Sequence, residues 1–185
     1  DGYGYTQFKL HVSRYREPHD YSYHNDYKPG EQMQIDFAGD ALYLTDRKTG
    51  KPQKLAVLVC VMPYSNLPFM MAMPKATTEW FFHGLNKALE FMGALPKEAK
   101  SDNMKQWVAK SERHSLTLSD GTVEWATYYG IEPTACRVRQ PRDKGPVESA
   151  VNHLYHYIYA RIENDTFHEL SDINNRIWEL LDEYC

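Results

Sequence analysis

Three carboxylates, Asp36, Asp102 and Glu148, stand at what read as a strand end, a strand exit and a helix start. Asp36 lies near the end of Glu31-Gln32-Met33-Gln34-Ile35-Asp36-Phe37, which alternates polar with apolar as a half-buried strand does. Aspartate is a poor strand former. Asp102-Asn103 follows a short strand-like run that ends at Ser101, and Glu148 follows Gly145-Pro146 at the start of a long helical pattern. Each has a plain explanation: a solvated strand edge, an Asx turn or helix cap, a favourable charge in a helix first turn. Taken together they have a chemical one. Converging carboxylates repel unless a cation lies between them, and oxygen ligands of this kind suit Mg²⁺ or Mn²⁺.

The elements that would bring them together follow from periodicity. Lys28-Pro29-Gly30 and Gly39-Asp40 bracket the first strand with turn chemistry. Met33, Ile35 and Phe37 then share one face, and Gln32, Gln34 and Asp36 the other. Residues 41–45 read as a second strand, closed by the polar turn 46–51. The apolar run from Lys54 to Met62 reads as a central strand buried on both faces, and Leu67 to Met73 as a further strand. At Thr77-Thr78-Glu79 the period changes. An N-cap is followed by Trp80, Phe81, Leu85, Ala88, Leu89 and Met92 at helical spacing, and Gly93 ends the run. Pro96 to Ser101 predicts a strand, Ser119 to Tyr129 a helix stopped by Gly130, and Ile131 to Val138 a strand. Pro146 to Ile162 predicts a long helix with Val147, Ala150, Val151, Leu154 and Ile158 as its apolar stripe, and Leu170 to Tyr184 a last one.

A meander followed by alternating strands and helices predicts an α/β fold: a mixed five-stranded sheet flanked by helices. In such sheets active groups gather at the carboxyl ends of the strands. The three carboxylates can therefore converge on one edge. Before the sheet, a short amphipathic helix from Thr6 to Arg16 leads into an aperiodic, Tyr-rich stretch to Gly30. The expected division is an N-terminal helix and arm over 1–30, a core over 31–165 and a C-terminal helix over 166–185.

Composition narrows the field. The formal net charge is −4 and the isoelectric point near 6.1, so no strongly basic face marks a nucleic-acid binder. Any contact with DNA must be local, metal-assisted or shared with parts outside these residues. Lys105, Arg137, Arg139, Arg142 and Lys144 form a basic set around the second and third carboxylates and could hold phosphates, or line a solvated loop. Asn152 lies one turn after Glu148 and could face DNA. Cys60, Cys136 and Cys185 are scattered, forming neither a zinc motif nor a disulfide framework, which fits a reducing cytoplasm. No apolar run approaches membrane-spanning length, and the start reads as part of a longer chain. The eight histidines show no metal spacing, and the 14 tyrosines lack the Arg/His companions that a tyrosine nucleophile needs.

Asp36 on a first strand, Asp102-Asn103-Met104-Lys105 at a strand exit and Pro141-Arg142-Asp143-Lys144-Gly145-Pro146-Val147-Glu148 opening a helix resemble the DDE signature of the retroviral-integrase superfamily. Within it the chain is most similar to bacterial insertion-sequence transposases of the IstA type, over roughly Tyr3 to Ile162. The 45 residues between Asp102 and Glu148 suit that group, and the last block is the most specific. The chain departs from the pattern at Pro146, where a basic residue is expected. Proline suits a helix start, so the departure bears on a phosphate contact and leaves the carboxylate in place. The resemblance implies an RNase H-like fold, two Mg²⁺ or Mn²⁺ ions on Asp36, Asp102 and Glu148, and phosphoryl transfer on double-stranded DNA. It implies a homo-oligomer formed through the full-length protein and an AAA+ ATPase helper. A structure-selective nuclease of the same fold, or a non-catalytic DNA-binding or assembly module, are the alternatives; the intact triad argues against the second.

Overall fold

A computed structural model describes residues 4–16, 27–111, 115–136 and 145–185. For residues 13, 15, 16, 111 and 145–151 it describes the backbone alone. The elements run α1 (Tyr5–Arg16), β1 (Gln32–Phe37), β2 (Leu42–Thr45), β3 (Pro52–Met62), β4 (Leu67–Met73), α2 (Thr78–Met92), β5 (Glu98–Ser101), β6 (Val108–Ser111), β7 (Leu116–Leu118), α3 (Asp120–Tyr129), β8 (Glu132–Ala135), α4 (Gly145–Ile162) and α5 (Leu170–Tyr184).

Five strands form the central ladder in the order β4-β3-β1-β5-β8. β3 lies antiparallel between β4 and β1, whereas β5 and β8 run parallel to β1. The mixed sheet is the one expected from the chain order, but it has six strands where five were expected. A sixth strand joins it because β3 is longer than its neighbours. Its first residues overhang the ladder and pair with β2, from Leu42↔Leu55 to Thr45↔Pro52. The outer edge of β2 is closed by the segment between α4 and α5. Thr45 donates its N–H to the Phe167 carbonyl at 2.7 Å, and His168 Nδ1 lies 2.6 Å from the Thr45 carbonyl. Covered edges do not recruit foreign strands.

Burial explains the local choices. β1 buries Met33 and Ile35 and leaves Asp36 exposed, while β3 and β4 are buried almost without a break from Leu55 to Met73 outside their turn. Thr77 caps α2 by accepting from the Trp80 N–H, and Gly93 closes it with φ +62°, a left-handed conformation that glycine adopts without strain. α2 sits tightly on the sheet at Gly84, where an added Cβ would lie 2.6 Å from Leu58 Cδ2. A row of rings, Phe37–Phe81–Trp107–Trp125, ties β1, α2 and α3 together at centroid spacings of 6.0, 6.1 and 6.0 Å.

The β6–β7 hairpin is a two-stranded sheet apart from the main one, and periodicity does not announce it. Its strands are only four and three residues long, too short to alternate visibly, and Leu116 is exposed. The hairpin joins the exit of β5 to α3. At its base Ser119 donates its N–H to the Trp107 carbonyl at 2.9 Å and its hydroxyl to the Gln106 carbonyl at 2.7 Å.

α5 caps the other side of the ladder. Asn174, buried, accepts from the Ala72 N–H at 2.7 Å and donates to the Ala72 carbonyl at 2.9 Å, and Trp178 Nε1 donates to the Met70 carbonyl at 3.1 Å. These are the outward-facing groups of edge strand β4, so one helix satisfies a free β edge.

Candidate active site

β1 and β5 are parallel neighbours whose register ends at Ile35↔Ser101. Asp36 and Asp102 are the next residue on each chain. Adjacent strands lie ~4.8 Å apart, so the two residues leave the sheet side by side at the carboxyl ends of β1 and β5. Ile35 and Ser101 are buried; Asp36 is exposed and Asp102 partly so, in keeping with side chains that alternate between faces. The Asp36 carboxylate accepts from the Phe37 N–H at 2.8 Å. After Asp102 the backbone turns at once. Its carbonyl accepts from Met104 at 2.6 Å and Met104 accepts from Trp107 at 3.0 Å, and buried Trp107 donates its indole N–H to the Thr134 carbonyl of β8 at 2.7 Å. The tryptophan thereby pins the exit of β5. Lys105, in that turn, is exposed near Asp102 along the chain.

β8 extends the register through Ser101↔Ala135, and the Cys136 N–H donates to the Ser101 carbonyl at 2.9 Å. The chain thus leaves β8 at the same end of the sheet as the two aspartates and re-enters the described residues as α4. Glu148 is in the first turn of that helix. Its side chain lies outside the described residues, as do Arg137, Arg139, Arg142 and Lys144. Asn152 is exposed on α4, and so is His153. The structure therefore puts the backbones of Asp36 and Asp102 side by side at one end of the sheet, and the backbone of Glu148 in the first turn of α4. Among the described residues no three His, Cys, Asp or Glu side chains gather as a metal site. Two neighbouring solvent-facing carboxylates are nevertheless a donor set of the kind a hard divalent cation takes.

Three further residues enter here that carboxylate chemistry does not single out. Tyr155 donates its hydroxyl to Asp40 Oδ2, and Tyr159 donates to the Asp40 backbone carbonyl at 2.7 Å. Their rings stack at 3.9 Å and 27°. Burial, then the hydrogen bond to Asp40 and its negative charge, push the Tyr155 phenol up to about 12. Burial, then the charges of Tyr155 and Asp40, push Tyr159 up as well. The signal in the sequence is spacing: 148, 152, 155 and 159 fall on one helical stripe. A cavity of about 490 Å³ lies between β2, α4 and the start of α5, lined by Leu42, Tyr43, Tyr159, Phe167 and Ile173 among others, and includes neither Asp36 nor Asp102.

Residues 26–141 match the family model described as the integrase core domain. The chain is 35% identical over 183 residues to a protein of Sinorhizobium fredii named "Putative transposase y4bL/y4kJ/y4tB", covering 99% of this chain and 36% of that protein. It is 27% identical over 150 residues to the transposase for insertion sequence element IS640 of Shigella sonnei, covering 81% of this chain and 46% of that one. The chain spans about a third of the length of the first curated relatives it matches. Among solved structures, the HTLV-2 integrase catalytic core domain in complex with magnesium superposes with a TM-score of 0.56 at 17% identity, over 83% of this chain and 88% of that one. That likeness shows the fold, the RNase H-like arrangement of strands and helices.

Proposed function

The chain belongs to the integrase core domain family, and on that footing we propose that it is the catalytic domain of a DNA transposase, of the IstA type its three motif blocks resemble. The observation that carries this is the register of β1 and β5, which sets Asp36 beside Asp102 at the sheet edge from which the chain passes to the helix carrying Glu148.

Asp36, the ligand on the central strand, would be shared by two Mg²⁺ or Mn²⁺ ions, with Asp102 and Glu148 each holding one. The HTLV-2 integrase was solved in complex with magnesium, which supports that choice. When bound, such ions polarise a phosphodiester and lower the pKa of an attacking hydroxyl. The protein's own part is to hold DNA in line for attack and exclude other geometries. Lys105, Arg137, Arg139, Arg142, Lys144 and Asn152 are assigned to DNA phosphates, Lys and Arg as charged donors and Asn152 as a neutral one. In the first reaction water forms a new O–P bond, the P–O3′ bond breaks, and the element end is left with a 3′-hydroxyl. In the second, that hydroxyl forms an O–P bond with target DNA and displaces a target 3′-hydroxyl. No covalent protein–DNA intermediate is required.

Residues 1–30 are proposed as an arm, 31–165 as the catalytic core and 166–185 as a C-terminal helix. The whole protein would act in the cytoplasm on transposon ends and target DNA, as a homo-oligomer assisted by an AAA+ ATPase. No helix among the described residues is long and apolar enough to cross a membrane. The test is a strand-transfer assay with the full-length protein and Mg²⁺ or Mn²⁺. Asp36→Asn, Asp102→Asn and Glu148→Gln should each lower joining by at least ~10³-fold, the scale of losing a group that acts only in the transition state. If all three variants still join DNA ends, the assignment is wrong. Hydrolysis without joining by the parent protein would instead indicate a nuclease of the same fold.

A further inference from the structure

We propose that Asp40, Tyr155 and Tyr159 form a clamp that positions Glu148 relative to Asp36. The inference rests on Glu148 being a ligand of the proposed site. Asp40 ends the turn that leaves β1, four residues beyond Asp36, and that exit is pinned by the Ala38 N–H donating to the Val57 carbonyl at 2.9 Å. Two phenols from α4 meet this one residue, Tyr155 at its carboxylate and Tyr159 at its backbone carbonyl. The two rings also stack on each other, with centroids 3.9 Å apart.

The helix converts this grip into aim. Offsets of 7 and 11 residues return to nearly the same angle at 3.6 residues per turn, so Glu148 lies on the stripe of Tyr155 and Tyr159, roughly 10 Å along the axis from Tyr155. The fully buried side chains Leu154 and Ile158 occupy other angles and fix which side of α4 meets the core. The tyrosine pair fixes its rotation with respect to the end of β1. The two phenols stay protonated, and so remain donors, well above neutral pH. Tyr155 and Tyr159 are proposed as positioning residues, acting through Asp40 rather than as ligands of the ions.

The test is the double variant Tyr155→Phe/Tyr159→Phe in the full-length protein, with strand transfer titrated against Mg²⁺ and Mn²⁺ binding to the DNA complex followed by electron paramagnetic resonance. The half-saturating Mg²⁺ concentration should rise roughly tenfold and Mn²⁺ binding weaken to match, the scale of a lost hydrogen bond or two. DNA affinity should stay near the parent's, and the melting temperature should fall only by what one or two partly exposed hydrogen bonds contribute. Asp40→Asn, which keeps an oxygen acceptor for Tyr155, should recover most of what Asp40→Gly loses. Unchanged metal titration and Mn²⁺ binding in the double variant would overturn the clamp, as would a loss confined to stability. If the double variant melts far below the parent, Tyr155→Phe alone carries the same comparison. Glu148→Gln separates the two layers. Should it join DNA normally, the ligand assignment falls and the clamp with it; should it be inactive while the double variant matches the parent, only the clamp falls.

Discussion

Asp36 and Asp102 owe their pairing to backbone placement rather than to any property of aspartate. Each follows a buried residue on a neighbouring parallel strand, so two negative groups that would repel in isolation are held adjacent by the ladder. Their candidacy is legible in the sequence only jointly, from strand order and the motif blocks, since each alone has a plain local explanation. The basic residues were legible as a cluster only in order along the chain, and four of the five fall outside the described residues. Tyr155 yields a prediction of its own. Its phenol is raised from near 10 to about 12, so the unfolded chain ionises first as pH rises. Its contribution to stability is complete below about pH 10 and is lost between about 10 and about 12. Denaturant melts across that range should show the parent losing stability more steeply than Tyr155→Phe. Cys60 yields another. It is fully buried on β3 and burial pushes its thiol up, whereas Cys185 is exposed. Thiol labelling read by mass spectrometry at pH 8 should modify Cys185 and leave Cys60 untouched until the protein unfolds.

At the scale of elements, α2 announces itself through an N-cap at Thr77-Thr78-Glu79 and a stop at Gly93, and α3 through its stop at Gly130; the structure adds Ser119, read as the first helical residue, as the cap of α3. The role of α5 is less visible. Asn174 reads in sequence as one more polar residue on an amphipathic helix. Its burial, and its pair of hydrogen bonds with the Ala72 backbone, depend on a strand edge 102 residues away. Asn174→Ala should cost about 2–4 kcal/mol, because it leaves a buried N–H and a buried carbonyl of β4 unpaired. Urea denaturation measures this directly, and a cost under about 0.5 kcal/mol would mean that water reaches the edge. The β6–β7 hairpin escaped periodicity because its strands are too short to show alternation, while Ser119 ties its base to Trp107 and Gln106.

In the whole molecule, a meander and two parallel strands make one sheet, and Asp36 and Asp102 stand at the carboxyl ends of two neighbouring strands. Chain order was enough to expect this, since crossovers through helices return strands parallel to the first. What local pattern does not contain is the pairing of particular residues across the sheet: β5 beside β1, and α4 tied to Asp40. Those contacts join segments as much as 119 residues apart, and nothing in a short window encodes them. The acidic net charge also belongs to this scale. With it, DNA contact by these residues should depend on divalent ions, and binding should weaken on adding a chelator at constant ionic strength. The most direct test of the central claim is anomalous scattering from Mn²⁺ in crystals of the full-length protein bound to DNA. Two peaks flanked by the side chains of Asp36, Asp102 and Glu148 are the expected result. Peaks elsewhere, or a Glu148 side chain directed away from the two aspartates with DNA in place, would contradict it.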